Sequence, residues 1–512
     1  QSADIPNVPF GEDATIGISM GLGTGTFSSS TSDFNYGDDK YFFSDSDKYS
    51  VRMDYDALDE CYRLSLADKT EASDAVMAVA VDGAETSTFT DFSQGWKYAL
   101  EQSLDKHTTV KLLADWVAPN GEFYITRPSG WQYGTNNGYL YINYNHILTI
   151  DLNGHKIDRN LDETKDDGMV FSLTDKGIML TIKDSVGGGK ITGGNNTGDG
   201  GAIFMDNGAF GLPTEGGNLI IKGGNITGNH SDYRGGAIYS EAPFTSITVY
   251  DVKITDNTAK YGGAVALTST SDAHFYSGDI SGNSATKYGG AFYCYDGGDV
   301  VVDGSTVVSN NTAPYGGCAY IGIQGELRFC SGYIKDNTAD YGGGIYTYES
   351  FVMGGSEAYL INNVAKYDGG GVCALGEYGE VRINYGKIIG NKAINGAGIY
   401  WNAYNEIFGG VLNNVIITGN EASGIGGGVY VADDRYVYVG GRTVIRDNTS
   451  CLGNDNINLI GYDSCITHGA VDYFGTSLSE GSEIGIRAEK IKNERIIVSD
   501  EGGFEENSIN YF

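Results

Sequence analysis

One stretch keeps returning along this chain. It reads ITDNTAKYGGAVA from Ile254, ISGNSATKYGGAFY from Ile280, VSNNTAPYGGCAY from Val308 and IKDNTADYGGGIY from Ile334. The first glycine of each Gly-Gly or Gly-Ala step falls at Gly200, Gly235, Gly262, Gly289, Gly316, Gly342, Gly369, Gly396 and Gly426, with spacings of 35, 27, 27, 27, 26, 27, 27 and 30 residues. An asparagine keeps step ahead of the glycines at Asn229, Asn257, Asn283, Asn311, Asn337, Asn363, Asn391 and Asn420, and once more at Asn448. A fixed period of this size marks a repeat architecture. Repeats of this kind grow in one dimension, so the length of 512 residues does not require several globular domains.

Within a repeat the pattern is short apolar or alternating runs broken by polar turns. From Gly262, GGAVAL reads as one strand, TSTSDA as a turn and HFYSGDISGN as further strand. Corresponding runs elsewhere are SITVYDVKI, DVVVDGSTVV, GEVRINYGKI and RYVYVGGRTVI, rich in β-branched and aromatic residues. Two or three strands per repeat are expected, and no repeat holds a run long enough for a helix, which excludes leucine-rich and tetratricopeptide solenoids. A coil of this length built only of strands and turns is a parallel β-helix, with successive coils about 4.8 Å apart. Equal offsets then form columns. The asparagines are expected to bond one another as a ladder, and the glycines to supply turns that need positive φ or close approach. From Asn229 to Asn448 the stack spans about 38 Å.

The ends depart from the repeat. Residues 1–90 read as a polar start followed by a β-rich lead-in. Asp91–Leu104 follows as a helix, with Asp91 and Gln94 spaced as a capping box and Phe92, Trp96, Ala99, Leu100 and Leu104 on one face. A terminal coil needs a cover, and this stripe suits one. Coils are expected to begin between Thr109 and Leu148, where LTIDLNGHKI reads as strand, tight Asn-Gly turn, strand. The expected fold is therefore all-β, a parallel β-helix. Residues 1–108 form the lead-in and capping helix, 109–450 the helix proper with regular repeats from about residue 190, and 451–512 the last coils and a β-rich C-terminal cap. The last residues read as the middle of a strand, so a continuation beyond Phe512 is expected.

The pairing of GGAI at Gly200–Ile203 and Gly235–Ile238 with I-x-x-N at Ile254–Asn257 and Ile280–Asn283 resembles the repeats of the polymorphic outer-membrane protein family. That family alternates GGA-[ILV] with F-x-x-N; here the second element is led by Ile or Val. More broadly the chain is similar to the pectin-lyase-like right-handed β-helix superfamily and its adhesin-like surface proteins, over about Leu148–Ser450. The resemblance implies the fold strongly and the function weakly, since that superfamily holds both enzymes and adhesins.

Composition narrows the partners. With 66 acidic and 33 basic residues the formal charge is −33, which disfavours nucleic acid and anionic membrane surfaces. No run is apolar and long enough to span a membrane, so no insertion is expected in this segment. A secreted or cell-surface protein, probing its surroundings as a monomer, fits these bounds. The seven cysteines contain no CxxC pair. Cys294, Cys318 and Cys373 fall at different offsets in the repeat and read as buried thiols, and Cys451 with Cys465 is a candidate disulfide.

Two constellations ride on the scaffold. Tyr261, Tyr288, Tyr315, Tyr341 and Tyr367 precede the glycine step and should stack in one column. The plainer reading is turn packing; the functional one is an aromatic platform for a glycan or a protein of a host or neighbouring cell. The other constellation is the set of turn carboxylates Glu241, Asp296, Glu349, Glu377 and Asp433 after the glycine strand. What the resemblance implies for these is polysaccharide lyase or glycoside hydrolase chemistry, with Glu377, Asp433, Asp434 and Arg435 as the catalytic candidates; the plainer reading is a solvated row. No cofactor is expected and no metal ligands are assigned, calcium staying open on so acidic a chain. An adhesin-like binding protein is the preferred function, a polysaccharide-active enzyme the alternative, and a passive surface stalk the third.

Overall fold

The computed structural model describes residues 74–488 apart from 85–86, 105, 120–139, 144–145, 175–176, 207–217, 242, 377–380, 404–409, 433–434, 460–464, 468–477 and 480, together with five strands before residue 74 and the strand Val498–Ser499. The chain divides into two compact units, Gln1–Val76 with Thr88–Asp91, and Met77–Ser87 with Phe92–Phe512. In the first unit Cys61–Asp68 runs antiparallel between Gly25–Phe27 and Tyr49–Asp56, and Ile16–Ile18 pairs in parallel with Phe42–Ser44.

The second unit is a parallel β-helix. One coil shows its construction: Val265–Leu267, Asp272–Phe275, Gly278–Ser281 and Ser284–Tyr288 are its strands. Each pairs in parallel with its counterpart one repeat away, so four stacked sheets run along the unit. Four strands per coil correct the expectation of two or three. The additional strand is the TAKY-type segment after the asparagine, which has a single inward side chain, an alanine, and so lacks the apolar alternation that marks a strand in sequence. Inward residues of this coil, Val265, Leu267, Ala273, Phe275, Ile280 and Ala285, are at most 3% exposed. The Asn153-Gly154 turn likewise joins no hairpin. Ile147–Asp151 and Lys156–Asp158 lie in different sheets, each paired in parallel with neighbouring coils, so this turn is a corner.

The asparagine ladder is present along the stack. The Oδ1 of Asn311 accepts the backbone N–H of Asn283 at 2.9 Å and its Nδ2 at 3.0 Å, while Asn311 Nδ2 donates to Ile280 O at 2.9 Å and to Asn337 Oδ1 at 3.0 Å. The same bonds recur from Asn229 to Asn448, and the side chains are at most 1% exposed. A buried amide is tolerated here because every polar atom is paired. The residue before each ladder asparagine is left-handed, as at Asp256, Gly282, Asn310, Asp336 and Asn362, which explains why only Gly, Asp and Asn occur there. The glycine step makes two separate demands. Gly235 has φ of 66°, and a Cβ on Gly236 would run into the carbonyl oxygen of Gly263 in the next coil.

The N-terminal coil is closed by the helix Phe92–Gln102, which buries Phe92, Gly95, Trp96 and Ala99. The Phe92 ring stacks on Trp116 at 4.4 Å, and Trp96, fully buried, lies 6.3 Å from Phe171. Leu104, expected on the buried stripe, is 40% exposed because the helix stops at Gln102; Leu100 is half-buried. Ser103 faces inward instead, its Oγ 2.7 Å from His146 Nδ1. Thr108–Leu112 pairs in parallel with Ile147–Asp151 and antiparallel with Met77–Val81, which covers the edge of the stack.

At the other end the glycine steps stop but the coils continue. Val444–Arg446 pairs with Glu483–Ile484 and Ile457–Leu459 with Ile486–Ala488, both in parallel. The ladder closes on Asn456, whose Oδ1 accepts Asn448 N at 3.0 Å and Asn448 Nδ2 at 3.1 Å. Cys294, Cys318 and Cys373 are buried free thiols. Cys451 is an exposed free thiol, so the bridge to Cys465 considered from sequence is not formed.

Candidate functional site

In a strand only three residues long, the middle side chain points away from its two neighbours. After each glycine step the flanking residues enter the core, as Phe292 and Cys294 do, and the middle one faces out. That outward position is aromatic in most coils. Phe204, Tyr239, Tyr293, Tyr320, Tyr346, Tyr400 and Tyr430 occupy it, interrupted by Ala266 and Cys373. Outward tyrosines should be wet, yet Tyr239, Tyr293, Tyr320 and Tyr346 are 0, 8, 7 and 3% exposed.

What covers the last three is the tyrosine row legible in the sequence. Tyr261, Tyr288, Tyr315 and Tyr341 pair in register from coil to coil, and at the glycine corner their rings fold over the inner row. Tyr261 lies 5.2 Å from Tyr293, Tyr288 4.3 Å from Tyr320, and Tyr315 5.2 Å from Tyr346. Each outer ring therefore rests on the inner ring one coil further along. The inner rings are nearly parallel, Tyr320 at 5.6 Å from both Tyr293 and Tyr346. The outer row is less regular than a single stacked column. Tyr315 and Tyr341 stack at 5.4 Å and 8°, and Tyr341 and Tyr367 at 5.0 Å, but Tyr288 meets Tyr315 edge-on at 66°. The outer rings are half-buried, and Tyr367 at the end of the row is exposed.

Hydroxyl groups and charges border the rings. Burial holds the phenols of Tyr239, Tyr293, Tyr320 and Tyr346 far above their usual range, so they remain neutral donors. Tyr346 Oη donates to Tyr348 Oη at 3.1 Å, and Tyr239 Oη to Glu241 Oε2 at 2.8 Å. Arg234 packs over the Tyr239 ring at 4.3 Å and grips Asp199 through Nε at 2.9 Å and Nη2 at 2.8 Å. Glu241, a turn carboxylate singled out in sequence, thus binds a tyrosine hydroxyl and lies 3.7 Å from Arg234.

Of the remaining turn acids, Asp296 and Glu349 are described. Asp296 is exposed in a left-handed turn, and burial raises the Glu349 carboxyl. Of the catalytic candidates, Glu377, Asp433 and Asp434 lie outside the described residues, while Arg435 donates Nε to Asn402 O at 3.4 Å. The acids that the fold does bring together are Asp272, Asp299 and Glu326, direct register neighbours at the start of the next sheet. Burial, then Glu326 and Asp272, push Asp299 up to about 6. Sequence reading missed this column although its offset of ten from Gly262, Gly289 and Gly316 is constant, and missed the inner tyrosines although their constant offset of four from the first glycine was available. Among the described residues no group of three or more His, Cys, Asp or Glu side chains is placed to hold a metal ion. No helix among them is long and apolar enough to cross a membrane.

Compared with known proteins, residues 223–241 and 277–295 match the Chlamydia polymorphic membrane protein repeat. Each matched segment holds one ladder asparagine, one glycine step and one inner tyrosine: Asn229, Gly235 and Tyr239 in the first, Asn283, Gly289 and Tyr293 in the second. The match and the parallel stack together fit a pectin-lyase-like β-helix carrying such repeats. No curated protein and no solved structure matches the chain.

Proposed function

We propose that this chain is an adhesin-like binding protein at the cell surface, exposed like the passenger part of an autotransporter, whose two-layered tyrosine face contacts a glycan or a protein of a host or neighbouring cell. The observation that carries the reading is the outer row, Tyr261 to Tyr341, laid over the inner one and continued by Tyr367. The ladder and the glycine step account for the coil without any tyrosine. The rings are therefore an addition to the scaffold, rigidly spaced, with hydroxyls at their rim. Tyrosine of this kind offers apolar area and a hydrogen-bonding tip at low entropic cost. The matched repeats support a surface location, since the family they come from is named for membrane proteins.

The test is binding to arrays of glycans and of host-cell surface proteins, comparing the wild type with a Tyr315→Ser/Tyr341→Ser variant. A control variant, Tyr333→Ser/Tyr359→Ser, removes another stacked pair, 5.0 Å apart, from a different sheet. Loss of signal in the first variant and retention in the second supports the face as the binding site. Equal retention in both overturns it.

A further inference from the structure

The residue before each outer tyrosine divides the row. It is lysine at Lys260, Lys287 and Lys366, but Pro314 and Asp340 in the two coils between. Where lysine is present, the chain lays its own ammonium on the rings. Lys260 Nζ stands 5.3 Å from the centroids of both Tyr261 and Tyr233, Lys287 Nζ 4.7 Å from Tyr288, and Lys366 Nζ 4.9 Å from Tyr367. An electron-rich ring face attracts a cation, and phenol rings do so well. Three coils of this protein thus demonstrate the contact on their own side chains.

The middle of the row lacks it. Tyr315 and Tyr341 are the most nearly parallel outer pair, and among the described residues no lysine or arginine lies over either ring. The acids beside them are Asp340 and Asp368, with the Lys366 ammonium at their edge. Partial burial and then the Asp368 carboxylate hold the Tyr341 phenol above its usual value, with Asp340 acting in the same direction. Asp368 Oδ1 accepts from a neutral donor, Asn395 Nδ2, at 2.9 Å. Lys366, over Tyr367, borders this field and also feels Asp340.

We propose that the Tyr315–Tyr341 pair with Asp340 is a docking position for a lysine or arginine side chain from a basic segment of a protein partner. The position repeats in an intermolecular form what Lys287 and Lys366 do on either side of it. The rings supply the cation-binding face, and Asp340, standing where the next coil carries the Lys366 ammonium, supplies the opposite charge. The chain's net charge of −33 would steer such a segment toward it. A neutral saccharide would use the rings and hydroxyls but not the carboxylate. This inference rests on the reading that the tyrosine face is the binding face.

The test uses fluorescence anisotropy of labelled hexalysine at about 150 mM salt, where long-range attraction is screened. An Nε-acetylated hexalysine of equal length serves as the neutral probe. Tyr341→Leu and Asp340→Asn should each weaken hexalysine binding by about three- to tenfold, with Tyr341→Phe close to wild type. Asp256→Asn makes the same charge change at a distant exposed turn and should stay within about twofold. The acetylated probe should bind far more weakly. Equal losses in Asp340→Asn and Asp256→Asn, or no loss in Tyr341→Leu, overturn the proposal. If both probes bind alike and Tyr341→Leu abolishes both, the tyrosine face remains the binding face but the cationic partner is wrong.

Discussion

A ladder asparagine is held by every polar atom of its amide and also caps the backbone of its neighbour. Removing the Asn311 side chain deletes the acceptor for the Asn283 backbone N–H and Nδ2, and the donors to Ile280 O and Asn337 Oδ1. No water reaches the vacated groups easily, since both neighbours in the ladder are at most 1% exposed. An orphaned buried N–H costs more than a lost bond contributes, so Asn311→Ala should destabilise its coil by about 2–4 kcal/mol. Native-state hydrogen exchange is the appropriate measurement, because a stack of repeats opens locally. The amides of Asn283 and Thr312 should lose protection while those near Asn229 keep theirs. Uniform loss along the stack, or none, would contradict a ladder that works pair by pair. This much was legible in the sequence, because an asparagine at a constant offset has little else to do in a tight turn. The left-handed residue before it is the same kind of signal: Gly, Asp and Asn alternate there for one conformational reason.

Columns of side chains belong to the element rather than the residue, and here the sequence is harder to read. A column forms only when strand registers are known, and turn lengths between strands vary from coil to coil. The outer tyrosines were visible because they abut the glycine step. The inner row was missed because it lies inside the strand after the glycine step, at outward positions that are ordinarily polar but here are aromatic and buried under other tyrosines. The acidic column Asp272, Asp299 and Glu326 keeps a constant offset of ten from Gly262, Gly289 and Gly316, but it lies past the turn at the start of a strand and was overlooked beside the turn carboxylates. It also has a measurable consequence. Asp299 titrates near 6 in the folded chain against an ordinary value of 3.8, first through burial and then through the two neighbouring carboxylates. Between those values the folded state holds a proton that the unfolded state has released, so stability falls as pH rises through the interval, and the deficit is complete above the folded value. Asp299→Asn removes the charge. Its urea midpoint should exceed that of the wild type at about pH 7.5 and coincide with it below about pH 4. An advantage of the same size at both pH values would point to packing instead of charge.

At the scale of the molecule, the period carried the fold because each coil repeats its own turn chemistry, and backbone pairing carries the rest. That division explains why the stack continues beyond Asn448, where glycine steps no longer announce it: Ile457–Leu459 and Ile486–Ala488 pair without them. It also explains why the function was less legible, since nothing in the coil's construction requires a tyrosine. If the coil is the unit, whole coils should be removable. Deleting Gly289–Tyr315 takes out one period of 27 residues and joins Tyr288 to Gly316. Every turn is left intact, Asn283 becomes the ladder neighbour of Asn337, and the outer row still precedes each glycine step. Neighbour-only interactions predict that this variant folds, with a β-type far-UV spectrum and cooperative unfolding like the parent. Deleting about half a period, residues 289–301, joins Tyr288 to Val302 and feeds the chain into the wrong sheet, turning inward residues outward. That variant should lose protection against proteolysis across the surrounding coils. A full-coil deletion as damaging as the half-coil one would mean that the coils are held by longer-range contacts than the ladder and sheets provide.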